Sequence, residues 1–172
     1  MTRDERLRRV ARLCCHCIRN IAFYRAGWRQ KELRVQHPFL VNTNSNCIDI
    51  AVLEWCKLFA DHKGKHHWKR VVTDRAAFMS GLCRELKMNG KAFHSYATSV
   101  LRYRNKFVAH LDDEGVMYPP RLRVMRKTVR YLYEHLLKDP LASTCLSDAP
   151  SSAYQLYSVC FRLAHEQYRV AT

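Results

Sequence analysis

The stretch Pro119-Pro120-Arg121-Leu122-Arg123-Val124-Met125-Arg126-Lys127-Thr128-Val129-Arg130-Tyr131-Leu132-Tyr133-Glu134-His135-Leu136 decides the fold class by its spacing. Leu122, Met125, Val129, Leu132 and Leu136 recur in heptad-like order, which places them along one side of an α-helix. Arg121, Arg123, Arg126, Lys127 and Arg130 fall on the remaining faces. A proline pair suits a helix start, where the missing N–H costs nothing, and Pro140 stops the run. A seam of this kind must be buried against other helices, so the rest of the chain is read for partners.

Partners occur on both sides. Thr2 with Glu5 forms a capping box at the head of a long first helix whose apolar positions are Leu7, Val10, Cys14, Cys17 and Ile21, with Arg6, Arg8, Arg9 and Arg12 on its other face. Gly27 interrupts that helix and Pro38 marks a loop. Asn44 or Ser45 is expected to cap a second helix, with Ile48, Ala51, Val52, Trp55, Leu58 and Phe59 inward. Asp61–Arg70, DHKGKHHWKR, reads as a solvated loop that could face RNA. Thr73 or Asp74 caps a third helix, and Asn89-Gly90 is expected to end it as a left-handed cap. Phe93, Tyr96, Ala97, Val100 and Leu101 give a fourth helix its inner face. Residues 139–150 read as a linker, and Ala153–Tyr168 as a last helix with Leu156, Val159, Cys160 and Leu163 inward. Strand alternation is absent. The expected architecture is all-α, a bundle of five or six antiparallel helices forming one domain over residues 1–172.

Charge points to the partner. Thirty Lys and Arg against fifteen Asp and Glu give a formal charge of +15 in 172 residues, and a field of that sign concentrates polyanions, RNA first among them. A chain of this length buries about 70% of the surface its unfolded form exposes, enough for one core. Eight cysteines would suggest disulfides in a secreted protein, but MTRDERLRRVARLC carries charges where a signal peptide needs an apolar core. No apolar run reaches the roughly 18 residues of a membrane span. A cytoplasmic protein without membrane contact is therefore expected. Cys14-Cys15-His16-Cys17 has ligand types but not ligand spacing: four consecutive helical residues point four ways, whereas zinc sites pair ligands two to four residues apart. No metal and no cofactor are expected.

Chemistry concentrates in Arg104-Asn105-Lys106-Phe107-Val108-Ala109-His110. Arg stays charged and offers a planar fork to phosphate oxygens, while His can take and return a proton near neutrality. Arg is followed by His five to seven positions on at Arg9/His16 and Arg130/His135 as well. Only Arg104 has a polar amide next to it, a small Ala109 before the His, and Asp112 and Asp113 just after.

The run Leu101–Asp113, LRYRNKFVAHLDD, resembles the signature of HEPN domains (higher eukaryote and prokaryote nucleotide-binding) and is most similar to the abortive-infection type, with its RNK..AH.D pattern. The resemblance implies a helical bundle that dimerises with its motifs facing each other, often as a metal-independent ribonuclease in antiviral defence or toxin–antitoxin systems. An antitoxin protein is then a further expected partner. Some members of the family only bind.

In a continuous α-helix, six residues would rotate His110 by about 240° from Arg104 and raise it by about 9 Å, so the two would not share a face. A two-fold axis could bring Arg104 of one chain to His110 of another, which predicts a homodimer. In an endoribonuclease Arg104, Asn105 and His110 are the expected catalytic residues, with Lys106 and Asp112 supporting them, and Arg121, Arg123, Arg126, Lys127 and Arg130 as the RNA-binding set. Asn105 could hold a phosphate or fix Arg104. Two other classes stay open: a non-catalytic RNA- or protein-binding module, and a helical adaptor whose charge serves an acidic protein.

Overall fold

A computed structural model of the chain describes residues 1–108 and 119–170. Over these residues the protein is helical apart from one short hairpin. The helices are α1 (Arg3–Ala26), α2 (Pro38–Phe59), α3 (Arg75–Leu86), α4 (Gly90–Tyr103), α5 (Leu122–Leu136), α6 (Ala142–Cys145) and α7 (Ala153–Val170). Six run three turns or more, which matches the expected helix number. The single turn α6 falls in the segment read as a linker.

The first helix is the centre of the assembly, packing chiefly on α2, α7 and α5. Its capping box forms as expected, with the Thr2 hydroxyl accepting from the Glu5 N–H at 3.2 Å and the Glu5 carboxylate accepting from the Thr2 N–H at 3.0 Å. Ala11, Cys14, Cys15, Cys17 and Ala22 are all buried on it; being small, they let three neighbours approach one axis. Leu7, Ile18 and Ile21 fill the remaining space, each contributing about 1.5–3 kcal/mol on leaving water. All eight cysteines are free thiols and six of them, all but Cys83 and Cys145, are buried; burial pushes the Cys14 and Cys17 thiols well above the usual range.

An aromatic cluster joins α2 to α4 and α5. Trp55 stacks on Phe59 at 5.2 Å and meets Tyr96 edge-on at 5.5 Å, and Phe59 meets Phe93 at 6.1 Å. The Trp55 indole N–H donates to the Thr128 hydroxyl at 2.7 Å, and the Thr128 hydroxyl in turn donates to the Met125 carbonyl, so the polar end of the ring is satisfied inside the core.

Helix boundaries differ from the sequence reading where a residue has two structural uses. Pro38 opens α2 at its first position, six residues before the expected cap. Asn44, the expected cap, is instead buried inside α2, where its amide donates to the Tyr24 carbonyl and the Tyr168 hydroxyl and accepts from the Trp28 indole. It ties α1, α2 and α7 together, and a Cβ on Gly27 would collide with it. Asn89 does not end α3 but caps α4, accepting from the Ala92 N–H at 2.8 Å; Lys87 takes the left-handed position at φ 54°. Asp74 caps α3 as expected. The hairpin pairs β1 (Trp28–Arg29) with β2 (Glu32–Leu33) through Gln30 and Lys31, both at positive φ. That turn is normally signalled by Asn-Gly or Asp-Gly, so nothing in this sequence announces it.

The loop 61–70 is also less solvated than expected. His67 and Trp68 are buried, with Trp68 stacked on Phe78 at 4.9 Å. His67 Nδ1 accepts from the Lys69 N–H at 3.3 Å, which assigns its proton to Nε2, within reach of the Phe59 carbonyl and His62 Nδ1.

Candidate active site and nucleic-acid interface

Helix α4 delivers the sequence-predicted motif. Phe93, Ala97, Val100 and Tyr103 anchor its inner face, so its C-terminal end is held firmly against the core. There the helix widens: Arg104–Val108 form a π-turn rather than a continuation of α4. Such turns are uncommon, and where they interrupt a helix they are frequently at functional sites. Tyr103 and Phe107 pack against each other at 5.5 Å across it.

Within the turn Arg104 and Asn105 hold each other. The Arg104 guanidinium donates through Nε at 3.0 Å and through Nη2 at 2.7 Å to the one Asn105 side-chain oxygen. The acceptor is neutral, so this contact orients the cation without neutralising it, and among the described residues Arg104 has no carboxylate partner. Nearby, burial pushes the Cys56 thiol up to about 12 even though the Arg104 charge pulls it down. Cys56 is therefore a protonated thiol and no nucleophile. Burial likewise pushes the Tyr103 hydroxyl up to about 12, helped by the charges of Asp49 and Tyr24, and raises the Asp49 carboxyl. Cys56, which feels the Arg104 charge, and Tyr103, the neighbour of Arg104 in sequence, are thus both weakly ionising.

The α-helical phase used to anticipate a dimer does not hold through the π-turn, because a wider turn rotates less per residue. His110 and Asp112, the expected proton-transfer residue and its support, lie outside the described residues, as do Asp113 and Glu114. Lys106 is half-buried at the turn.

The five basic residues of α5 separate into three environments. Lys127 and Arg130 are engaged with Glu85 of α3, at 3.5 and 2.5 Å. Arg126 lies over the Tyr157 ring of α7, 4.6 Å from its centroid. Arg121 and Arg123 are exposed, and the Arg121 carbonyl accepts from the Tyr96 hydroxyl. The helix begins without an acidic residue in its first turn and without a side-chain cap, so Arg121 and Arg123 sit unfavourably at the positive end of the dipole. A phosphate there would relieve both. Arg121 also lines, with Tyr96, Tyr103 and Pro120, a cleft of about 490 Å³ between α4 and the start of α5. It therefore connects the basic helix with the end of α4 that carries Arg104.

Sequence reasoning overlooked Tyr157 as the partner of Arg126. The signal was present as Tyr154, Tyr157, Phe161 and His165 at three- and four-residue spacing, but the aliphatic residues of the same helix drew the assignment. Tyr157 stacks on Phe161 at 6.1 Å and Phe161 on His165 at 6.0 Å. Among the described residues no group of three His, Cys, Asp or Glu is placed to hold a metal ion, and no helix is long and apolar enough to cross a membrane. No protein-family model, no curated protein and no solved structure matches this chain, so its function is read from its own residues.

Proposed function

We propose that this protein is a metal-independent endoribonuclease of HEPN type, acting in the cytoplasm as a toxin or antiviral effector. The observation that carries the reading is Arg104, a cation oriented by the neutral Asn105 oxygen at 2.7 and 3.0 Å and followed closely in sequence by His110. RNA supplies its own nucleophile. A base removes the proton of the 2′-hydroxyl, that oxygen bonds to phosphorus, the bond to the 5′-oxygen breaks, and the leaving oxygen takes up a proton. The product is a 2′,3′-cyclic phosphate. His110 moves the protons, and Arg104 stabilises charge on the phosphate in the transition state. A homodimer that brings two motifs together provides a base and an acid at one scissile bond. Lys106 and Asp112 support the site, and an antitoxin is the expected regulator.

A second reading, a non-catalytic RNA-binding module, is favoured by one feature: the basic face of α5 includes exposed residues that do not depend on the motif. Incubating total RNA with wild type, Arg104→Ala and His110→Ala, with and without EDTA, decides between the two. Cleavage by wild type alone, unchanged by EDTA, supports the nuclease. Retained binding with no cleavage by any of the three supports the module.

A further inference from the structure

Helix α7 has two different flanks beside its buried centre. Ala153, Cys160 and Tyr168 form that centre. At about 100° per residue, Leu156, Val159, Leu163 and Val170 fall on one flank, and Tyr154, Tyr157, Phe161 and His165 on the other. The sequence reading turns Leu156, Val159, Cys160 and Leu163 inward; Cys160 is buried and Leu156 half-buried, whereas Val159 and Leu163 remain 44% and 56% exposed. From the aromatic flank Tyr154 and Tyr157 face α5, whereas Phe161 packs on the Ala26, Val35 and Tyr168 cluster and His165 meets Arg34. By the same arithmetic Arg123, Arg126 and Arg130 lie within an arc of about 60° on α5, and this face meets the two tyrosines of α7.

Between them lies a groove of about 310 Å³, with Arg126 and Arg130 on one wall and Tyr154 and Tyr157 on the other. An adjoining hollow of about 140 Å³ shares the Arg126 and Tyr157 wall and adds Arg25 and Arg123. Among the described residues Arg25 and Arg123 have no carboxylate partner. Tyr154 is 69% exposed, so its ring is accessible to a ligand. Arg126 lies over the Tyr157 ring, 4.6 Å from its centroid, and is half-buried.

We infer that the α5–α7 groove binds single-stranded RNA, with a base stacked on Tyr154, another against the Arg126–Tyr157 pair, and the backbone phosphates on Arg25 and Arg123. The inference rests on the proposal that RNA is the polyanion this protein handles. An acidic protein would satisfy the charges, but it does not alternate rings with charges along its length as an unpaired nucleic-acid strand does. A duplex meets the phosphate requirement and keeps its bases stacked on each other, whereas an unpaired strand exposes ring faces. Aromatic platforms beside a basic track are the common solution for unpaired strands.

The test uses a short fluorescent 2′-O-methyl oligouridine, which cannot be cleaved by 2′-hydroxyl attack, so affinity is read apart from chemistry. Tyr154→Ala is expected to weaken binding about 5- to 150-fold with helix content unchanged, and Tyr154→Trp to restore it. Arg126→Lys keeps the charge and is also expected to weaken binding. A matched duplex, heparin and poly-glutamate should each compete poorly. The inference is overturned if Tyr154→Ala binds as wild type while Arg123→Ala does not, or if duplex or poly-glutamate competes as well as the single strand. Failure of the nuclease reading looks different: oligouridine binding depends on Tyr154, yet no RNA is cut. Cleavage with groove variants at wild-type affinity would instead remove the groove and leave the nuclease.

Discussion

Arg104 and Arg126 are both arginines on the solvent side of a helical core, yet their partners differ. Arg104 donates two hydrogen bonds to an amide oxygen at the π-turn after α4; Arg126 lies on a tyrosine ring between α5 and α7. A guanidinium gripped at Nε and Nη2 has a fixed direction and a free edge, which suits one phosphate at one geometry. Lying over a ring, it is fixed in plane but free to slide, which suits successive bases without regard to their identity. The first arrangement serves chemistry and the second serves holding. Lys127 and Arg130 show a third arrangement: paired to Glu85, they attach α5 to α3 and carry less of their charge to a ligand.

The sharpest way to break this comparison is to remove the fixed cation. Arg104→Ala and His110→Ala should each lower single-turnover RNA cleavage by about 10²–10⁴, with oligouridine affinity changed only a few-fold. Equal loss of affinity would mean that the two regions act as one charged surface.

Acid separates the fold from the groove. His67, buried and neutral, has its pKa lowered to about 4, by burial first and then by His62 and Lys69, against the Phe59 carbonyl and Asp61, which raise it. In the unfolded chain an ordinary histidine titrates near 6.5. Between those values the unfolded chain holds a proton that the folded chain does not, so stability falls as pH drops through that window, by about 3 kcal/mol in all. Denaturant midpoints at pH 7 and pH 4.5 should show the fall, and His67→Gln should flatten it. Oligouridine binding should persist down the same window until the fold yields, since the groove is built from arginine and tyrosine.

Asn105 offers a finer test. Asn105→Ala frees Arg104 and should lower the cleavage rate roughly tenfold, within the range of a lost positioning hydrogen bond. Asn105→Asp keeps the acceptor but neutralises the cation, and should be the worse of the two; the reverse order in single-turnover rates would show that Asn105 does not act through Arg104.

The smallest effect belongs to the groove. Arg123→Ala should reduce the slope of log affinity against log salt by about 0.7, the share of one single-strand phosphate, with the cleavage rate of bound RNA unchanged. Arg9→Ala, on the far side of the Arg–His spacing argument, should leave that rate unchanged too.

Local signals were legible where one residue has one use. Thr2 and Glu5 cap α1, Asp74 caps α3, and the apolar faces of α4 and α5 turn inward much as their periodicity predicts. The reading failed where tertiary contacts compete for the same side chain. Asn44 looked like a cap and became a buried tie between three helices. His67 looked solvated and caps a turn beneath a tryptophan. Val159 and Leu163 have the spacing of core residues, but α7 reaches α1 through Ala153 and Cys160, small enough for close approach, and the larger aliphatics are left outside.

By itself the sequence determined a mainly helical fold, its strong positive charge, and the adjacency of Arg104 and Asn105 just before His110, because periodicity, net charge and order along a helix are local or additive properties. Only the tertiary structure decided that Asn105 turns onto Arg104 within a π-turn, that Glu85 takes Lys127 and Arg130 while Arg126 goes to Tyr157, and that α7 presents Tyr154 and Tyr157 to α5 while Val159 and Leu163 stay exposed. Those outcomes depend on which surfaces meet, and surfaces meet according to the shape of the whole core rather than the spacing within any one helix.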